Sequence, residues 1–179
     1  PATVPWRKVL AGMVRRAAAL TAGRITYTYT RPGRRRLPRI VTPAMRAPRL
    51  TAAVVIDTSA SMTSDDLDTA LAEVSGVIKA VGGTVQVIVC DAHAERARTV
   101  RNPRDVKLIG GGGTDMRVGI DAAEALNPAP NVIVVLTDGD TPWPSTPTRA
   151  RLIAVLTRDR GMSRLPTWAR GIHVPASPA

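Results

Sequence analysis

The chain has 179 residues and a hydrophobic content of 44%, enough for one α/β domain with a buried core. No apolar run approaches the roughly 20 residues that span a bilayer, and a single cysteine, Cys90, excludes an internal disulfide and fits a reducing compartment. The net charge of +11 is unevenly placed: residues 1–49 hold 12 Arg and Lys and no acid, whereas residues 50–179 hold 13 basic and 14 acidic residues.

This asymmetry divides the chain into a basic N-terminal extension, residues 1–49, and a nearly neutral domain, residues 50–179. It also points to an acidic partner: nucleic acid, an acidic protein face or a neighbouring domain. The chain opens at Pro1 with no charged-then-apolar leader. A cytoplasmic segment of a longer protein is therefore expected.

Residues 6–20 place Trp6, Val9, Leu10, Met13, Val14 and Ala17 on one helical face, with Arg7, Lys8, Arg15 and Arg16 elsewhere. That face is narrow for a membrane anchor, so a helix docked on its own domain is expected. Residues 25–30 alternate strictly and predict a short strand with one aromatic face. Tyr27, Tyr29 and the arginines at 31 and 34–36 have the makings of a nucleic-acid platform. A solvated basic loop beside a packed edge strand is the plainer alternative. Pro38, Pro43 and Pro48 mark an extended connector.

From residue 51 strand and helix alternate. Residues 51–56 form the first strand. Thr63, Ser64, Asp65 and Asp66 supply an N-cap and an acidic first turn. Leu67, Leu71, Val74, Val77, Ile78 and Val81 mark a helix closed by Gly82 and Gly83. Residues 84–90 are the second strand and 106–109 a short one. Gly110 to Gly113 precede Thr114 and Asp115, then a helix from about Met116 to Leu126. Residues 131–137 form a strand that is wholly apolar from Val132 to Leu136, as at the centre of a parallel sheet. Residues 152–157 form the last clear strand. A helical turn at 165–169 and an edge strand at 172–174 complete the chain. The alternation predicts an α/β fold with a doubly wound, mostly parallel central sheet and helices on both faces. A basic helix and strand precede it.

The chemistry concentrates where strands end. In an extended segment every second side chain points the same way, so Asp57, Ser59 and Ser61 face one point just past the first strand. A carboxylate with two hydroxyls there suits a hard divalent cation. Three segments end at the sheet's carboxyl edge, where sites form in open α/β sheets: Asp57-x-Ser59-x-Ser61, Gly113-Thr114-Asp115 and Thr137-Asp138-Gly139-Asp140.

In these motifs the chain resembles von Willebrand factor A-type (VWA) domains with a metal-ion-dependent adhesion site (MIDAS). The DxSxS motif is intact as Asp57, Ser59 and Ser61; the threonine loop matches Thr114, and the third-loop aspartate matches Asp138. Residues 89–92, the GGGGTD loop, the run from Asp138-Gly139 to Trp143-Pro144, and residues 31–35 resemble the VWA-like half of bacterial two-domain proteins. The front half of those proteins looks like a metallopeptidase. Its HExxH signature is absent here, since the histidines, His93 and His173, lack that spacing.

The resemblance implies that Asp57, Ser59, Ser61, Thr114 and Asp138 hold Mg²⁺, or Mn²⁺ or Ca²⁺. One position is left for a Glu or Asp of a protein partner. It implies a non-enzymatic, intracellular interaction module. Candidate partners are a MoxR-type AAA+ ATPase and the chain's own metallopeptidase-like domain. Asp115 and Asp140 depart from the simplest pattern and, with Gly113, join the outer shell or shape the loops; helix capping and turn chemistry explain the two acids equally well. Trp143, just past the third loop, is either an anchor for the partner or a packed loop aromatic.

Other readings stand beside this one. A metal hydrolase, or the accessory half of a peptidase, needs a general base, and no histidine lies in the three loops. Nucleic-acid binding by residues 1–49 is the third. No Gly-Lys-Ser/Thr follows the glycine run, so it is not a phosphate-binding P-loop. A phosphoryl-accepting aspartate at 57 lacks its second acid, since position 59 is serine. Cys90 and His93 as nucleophile and base compete with a buried structural thiol, which the apolar strand before Cys90 favours.

Overall fold

The computed structural model describes residues 6–22, 26–33, 39, 41–46, 50–57, 71–72, 74–76, 78–79, 84–90, 97–100 and 115–174. In chain order these form α1 (Trp6–Ala22), β1 (Thr26–Pro32), β2 (Pro43–Arg46) and β3 (Thr51–Asp57), then the helix α2 within residues 71–79. There follow β4 (Thr84–Cys90), β5 (Ala97–Val100), α3 (Met116–Glu124), β6 (Val132–Thr137) and β7 (Arg151–Leu156). A 3-10 helix (Asp159–Arg164) and β8 (Arg170–His173) complete the fold.

Six strands form one sheet in the order β5-β4-β3-β6-β7-β8. Five are parallel, and only β5 runs against its neighbour β4. β3 is the point from which the chain winds outward both ways, to β4 on one side and β6 on the other. The crevice over the carboxyl ends of β3 and β6 is thus the topological switch point of a doubly wound sheet, the usual place for a site.

The strand alternation sorts the core into two layers. Val54, Ile56, Val134, Leu136 and Val155 face one side, where Leu10, Val14 and Ala17 of α1 and Leu71, Val74 and Ile78 of α2 cover them. Val55, Cys90, Val135 and Leu152 face the other side under Met116, Ile120 and Ala123 of α3. β3 and β6 are buried along their whole length, which is why their sequences are continuous apolar runs rather than half-polar ones. α3 lies close on β3 and β4 because Gly119 has no side chain. A Cβ there would strike the Cys90 sulfur and sit 2.6 Å from Val55 Cγ1.

The helix at the N-terminus packs on the sheet, as its apolar face predicts. The proline-marked stretch after β1 holds a strand: Pro43 opens β2, which pairs antiparallel with β1. An edge position of this kind tolerates proline because the missing N–H need not face a partner. β5 is likewise a strand that the short, polar sequence ARTV did not announce; it closes the sheet's edge against β4. The expected turn at 165–169 is present, closed by the Ala169 amide on the Pro166 carbonyl at 3.0 Å, and a 3-10 helix at residues 159–164 precedes it. β8 confirms the expected edge strand. The expected strand at 106–109, the glycine run, the start of the 63–80 helix, and residues Pro38 and Pro48 lie outside the described residues. Among the described residues no helix is long and apolar enough to cross a membrane.

Candidate functional site at the carboxyl edge of the sheet

Asp57 is the last residue of β3, and Asp138 follows the last residue of β6. Both are buried, at 3% and 7% exposure. Register carries β3 and β6 side by side, so Asp57 comes level with Thr137. Their side chains share the sheet face covered by α3, and the Thr137 hydroxyl donates to Asp57 Oδ2 at 2.7 Å. The same hydroxyl oxygen accepts the Gly139 amide at 3.1 Å. One buried threonine thereby ties the end of β3 to the turn that carries Asp138. Asp138 Oδ1 in turn accepts the Asp140 amide at 2.9 Å, an Asx turn that fixes its carboxylate.

The α3 end joins the same cluster. Asp115 is the N-cap of α3, with Oδ1 accepting the Arg117 amide at 3.0 Å. The next amide, of Met116, donates to Thr141 Oγ1 at 3.1 Å, which links the start of α3 to the third loop. Cys90, at the end of β4, registers both acids electrostatically. Its thiol is pushed up to about 12, first by burial and then by the negative charges of Asp57 and Asp115.

Basic residues face the acids from elsewhere. Arg158 Nη1 stands 3.4 Å from Asp138 Oδ2, too far for a strong hydrogen bond, and its side chain is largely exposed. Arg164 pairs with the exposed Asp140. Arg117 grips Asp115 through Nε and Nη2, the latter at 2.6 Å from Oδ2. This side-chain hydrogen bond holds the Asp115 carboxyl below its usual range. The small stability it contributes is present at neutral pH and lost as pH falls through that lowered value; exposure and salt screening keep it small.

Asp115 therefore serves as a cap and Asp140 as a loop anchor. Asp57 and Asp138 are the two acids that capping does not account for. Two buried carboxylates at neighbouring strand ends repel unless positive charge lies close. An oxygen donor set of this type suits a hard divalent cation, and Arg158 meets Asp138 only loosely.

Ser59, Ser61, Gly113 and Thr114 lie outside the described residues. Trp143 is half-buried and packs against the α3-side core; its Nε1–H is buried without a hydrogen-bond partner among the described residues. Tyr27 and Tyr29 are exposed, at 67% and 72%, on the separate two-stranded sheet. Sequence reasoning assigned no role to Thr137, Thr141, Arg158 or Arg164. For Thr137 a signal existed: it precedes Asp138 at the end of the central strand, where a hydroxyl in an apolar run needs a partner.

The Cys90 placement gives a direct expectation. Reaction with a thiol reagent at pH 8 should be at least about 100-fold slower in the native chain than in urea, because the ionised thiol is the reactive form. Rapid labelling of the native chain would refute the burial. Since the folded pKa lies above the ordinary value of 9.0, the thiol favours folding below about pH 9 and loses that contribution as pH rises toward 12.

Comparison with known proteins supplies a family context. A family model described as "VWA-like domain (DUF2201)" matches residues 52–175. An uncharacterised protein of Thermotoga maritima (strain ATCC 43589) is 31% identical over 108 residues, covering 59% of this chain and 26% of that protein. The matched region thus spans about a quarter of the relative's length. Among solved structures, an aerotolerance-related membrane protein from Bacteroides fragilis NCTC 9343, with multiple mutations to serines, aligns with a TM-score of 0.41. The identity is 18% over 60% of this chain and 67% of that one.

Proposed function

The chain belongs to the VWA-like domain (DUF2201) family, and on that premise we propose that it is a non-catalytic protein-interaction module whose docking point is a divalent cation. Asp57 and Asp138 provide the anionic oxygens. Ser59, Ser61 and Thr114 provide neutral hydroxyls, in keeping with the DxSxS sequence and the threonine loop. Mg²⁺ is the expected ion, with Mn²⁺ or Ca²⁺ as substitutes. Bound there, a divalent cation supplies an electrophilic point that a partner's Glu or Asp completes.

The observation that supports this reading best is the burial of two carboxylates at neighbouring strand ends of the switch point, Asp57 tied to Thr137 and Asp138 next in the chain. With few anionic groups in direct reach, the ion keeps affinity for a further carboxylate. Arg158 acts as a loose counter-charge for Asp138 that can swing to solvent when a cation arrives. Trp143, on the same loop as Thr141, offers an aromatic surface beside the docking point. The outer acids Asp115 and Asp140 remain with Arg117 and Arg164 and shape the loops.

Titration calorimetry with Mg²⁺ and Mn²⁺ tests the proposal. The wild-type chain should bind at least one of them, and Asp57→Ala should lose at least about tenfold in affinity while keeping its circular dichroism. Absence of binding by the wild type, or equal binding by the variant, would sink it.

A further inference from the structure

A cavity of about 840 Å³ opens at the other end of the sheet, where β7 and β8 begin. Arg151 is the first residue of β7 and Arg170 the first of β8. β7 runs five residue steps from there to Leu156, level with Thr137, so the cavity lies roughly 17 Å from the carboxyl-edge site at about 3.3 Å per step. Its walls come from α1, from the loop before β7 and from the turn before β8. They include Met13, Arg16, Arg149, Arg151, Trp168 and Arg170.

Four arginines thus line one cavity, and among the described residues no acidic one does. All four arginines are exposed, and among the described residues none has an ion-pair partner. The nearby acid, Glu124, is turned to the Arg149 backbone amide at 2.6 Å and fixes the loop instead. Unpaired like charges around a concave, partly low-dielectric wall focus a positive potential that an anion relieves. Arginine is also the side chain best shaped to grip phosphate through two parallel N–H donors.

The rest of the wall is not charged. Trp168 is half-buried, packed on the α3-side core, and Met13 packs on the other layer. The indole among the arginines offers a surface for a flat ring. The volume lies within the few-hundred to roughly 1,000 Å³ range of small-ligand pockets. Inorganic phosphate alone would leave this surface bare.

From this placement we infer that the cleft between α1 and the starts of β7 and β8 binds a nucleotide, its phosphates on the arginines and its base against Trp168. The site uses none of the carboxyl-edge residues and stands whether or not that site holds a cation. The nucleotide comes either as a free nucleoside polyphosphate or as one unit of a single strand reaching the basic N-terminal segment.

The test is equilibrium binding of ATP, tripolyphosphate, adenosine and a ten-residue oligothymidylate to the whole chain, without added divalent metal. ATP should bind measurably more tightly than tripolyphosphate or adenosine. Arg151→Gln and Arg170→Gln should each weaken ATP at least tenfold, with unchanged circular dichroism and a shallower salt dependence. Equal loss of oligothymidylate in these variants assigns the strand as the source; loss of ATP alone assigns the free nucleotide. No ATP binding at millimolar concentration, or binding untouched by both substitutions, overturns the inference. So does binding abolished only by Tyr27→Ala with Tyr29→Ala, which would move it to β1.

Discussion

Thr137→Val is expected to destabilise the folded chain by about 2–4 kcal/mol at neutral pH, although valine has nearly the same shape. The methyl replaces a hydroxyl that is fully buried and holds two partners at once. It donates to Asp57 Oδ2 at 2.7 Å and accepts the Gly139 amide at 3.1 Å. A hydrogen bond to a charged group contributes about 1.5–3 kcal/mol, and a buried amide left without its acceptor costs about 1–3 kcal/mol. Some relaxation of the turn offsets part of the sum. Thr137→Ser keeps both bonds and loses one buried methyl, so it should cost only about 1 kcal/mol. Urea unfolding of the three proteins measures the difference. A valine variant within about 0.5 kcal/mol of wild type would show that the hydroxyl does not hold the loop. Because that loop carries Asp138, the valine variant should also bind Mg²⁺ less tightly than the serine variant, if the cation proposal is right.

The contrast between Thr137 and Asp57 shows what the sequence makes legible. Asp57 announces itself, since a carboxylate closing an apolar run must sit at a strand end, and the serines two and four residues on share its direction. Val54 and Val134 announce the sheet by the same local logic: continuous β-branched runs belong to strands buried on both faces. The cap at Asp115 is local as well. What Thr137 does depends on the register between β3 and β6, which no single strand encodes. Arg158 and Arg164 reach their aspartates from the segment after β7, so their partners are set by which strands are neighbours. β2 escaped detection because Pro43 reads locally as a breaker, and its place at the edge of a two-stranded sheet is what makes the proline harmless. The 3-10 helix at residues 159–164, which precedes the expected turn at 165–169, is unannounced for a similar reason. Its position is fixed by a contact between Gly139 and Gly161, a pair more than 20 residues apart.

That glycine pair carries the second large effect: Gly139→Ala should destabilise the chain by about 2–4 kcal/mol. Gly139 has φ of +85°, a conformation that costs a side-chain-bearing residue about 1–2 kcal/mol. Its missing Cβ is also where the 3-10 helix comes in. A Cβ at 139 would stand 2.5 Å from Gly161 Cα and 3.1 Å from Leu156 Cδ2. Backbone cannot step aside as a flexible side chain would, so the turn and the helix must separate, at a further 1–3 kcal/mol or so. Gly161→Ala meets the same surface from the other side, 2.8 Å from the Asp138 carbonyl oxygen and 2.9 Å from Gly139 Cα. Its backbone angle needs no glycine, so it should cost less than Gly139→Ala. At about 2–4 °C per kcal/mol for a chain of this size, Gly139→Ala should lower Tm by roughly 5–15 °C. Thermal unfolding of both variants decides the matter: equal losses would assign the whole effect to crowding, and no loss at 139 would mean the two segments do not meet. Separation of the turn moves Asp138 away from Asp57, so any cation affinity measured for the wild type should fall with the melting temperature in Gly139→Ala. Asp57→Ala leaves the glycine contact in place but loses the Thr137 hydrogen bond, so it should lower Tm as well, with a larger loss of any cation affinity because it removes the proposed ligand.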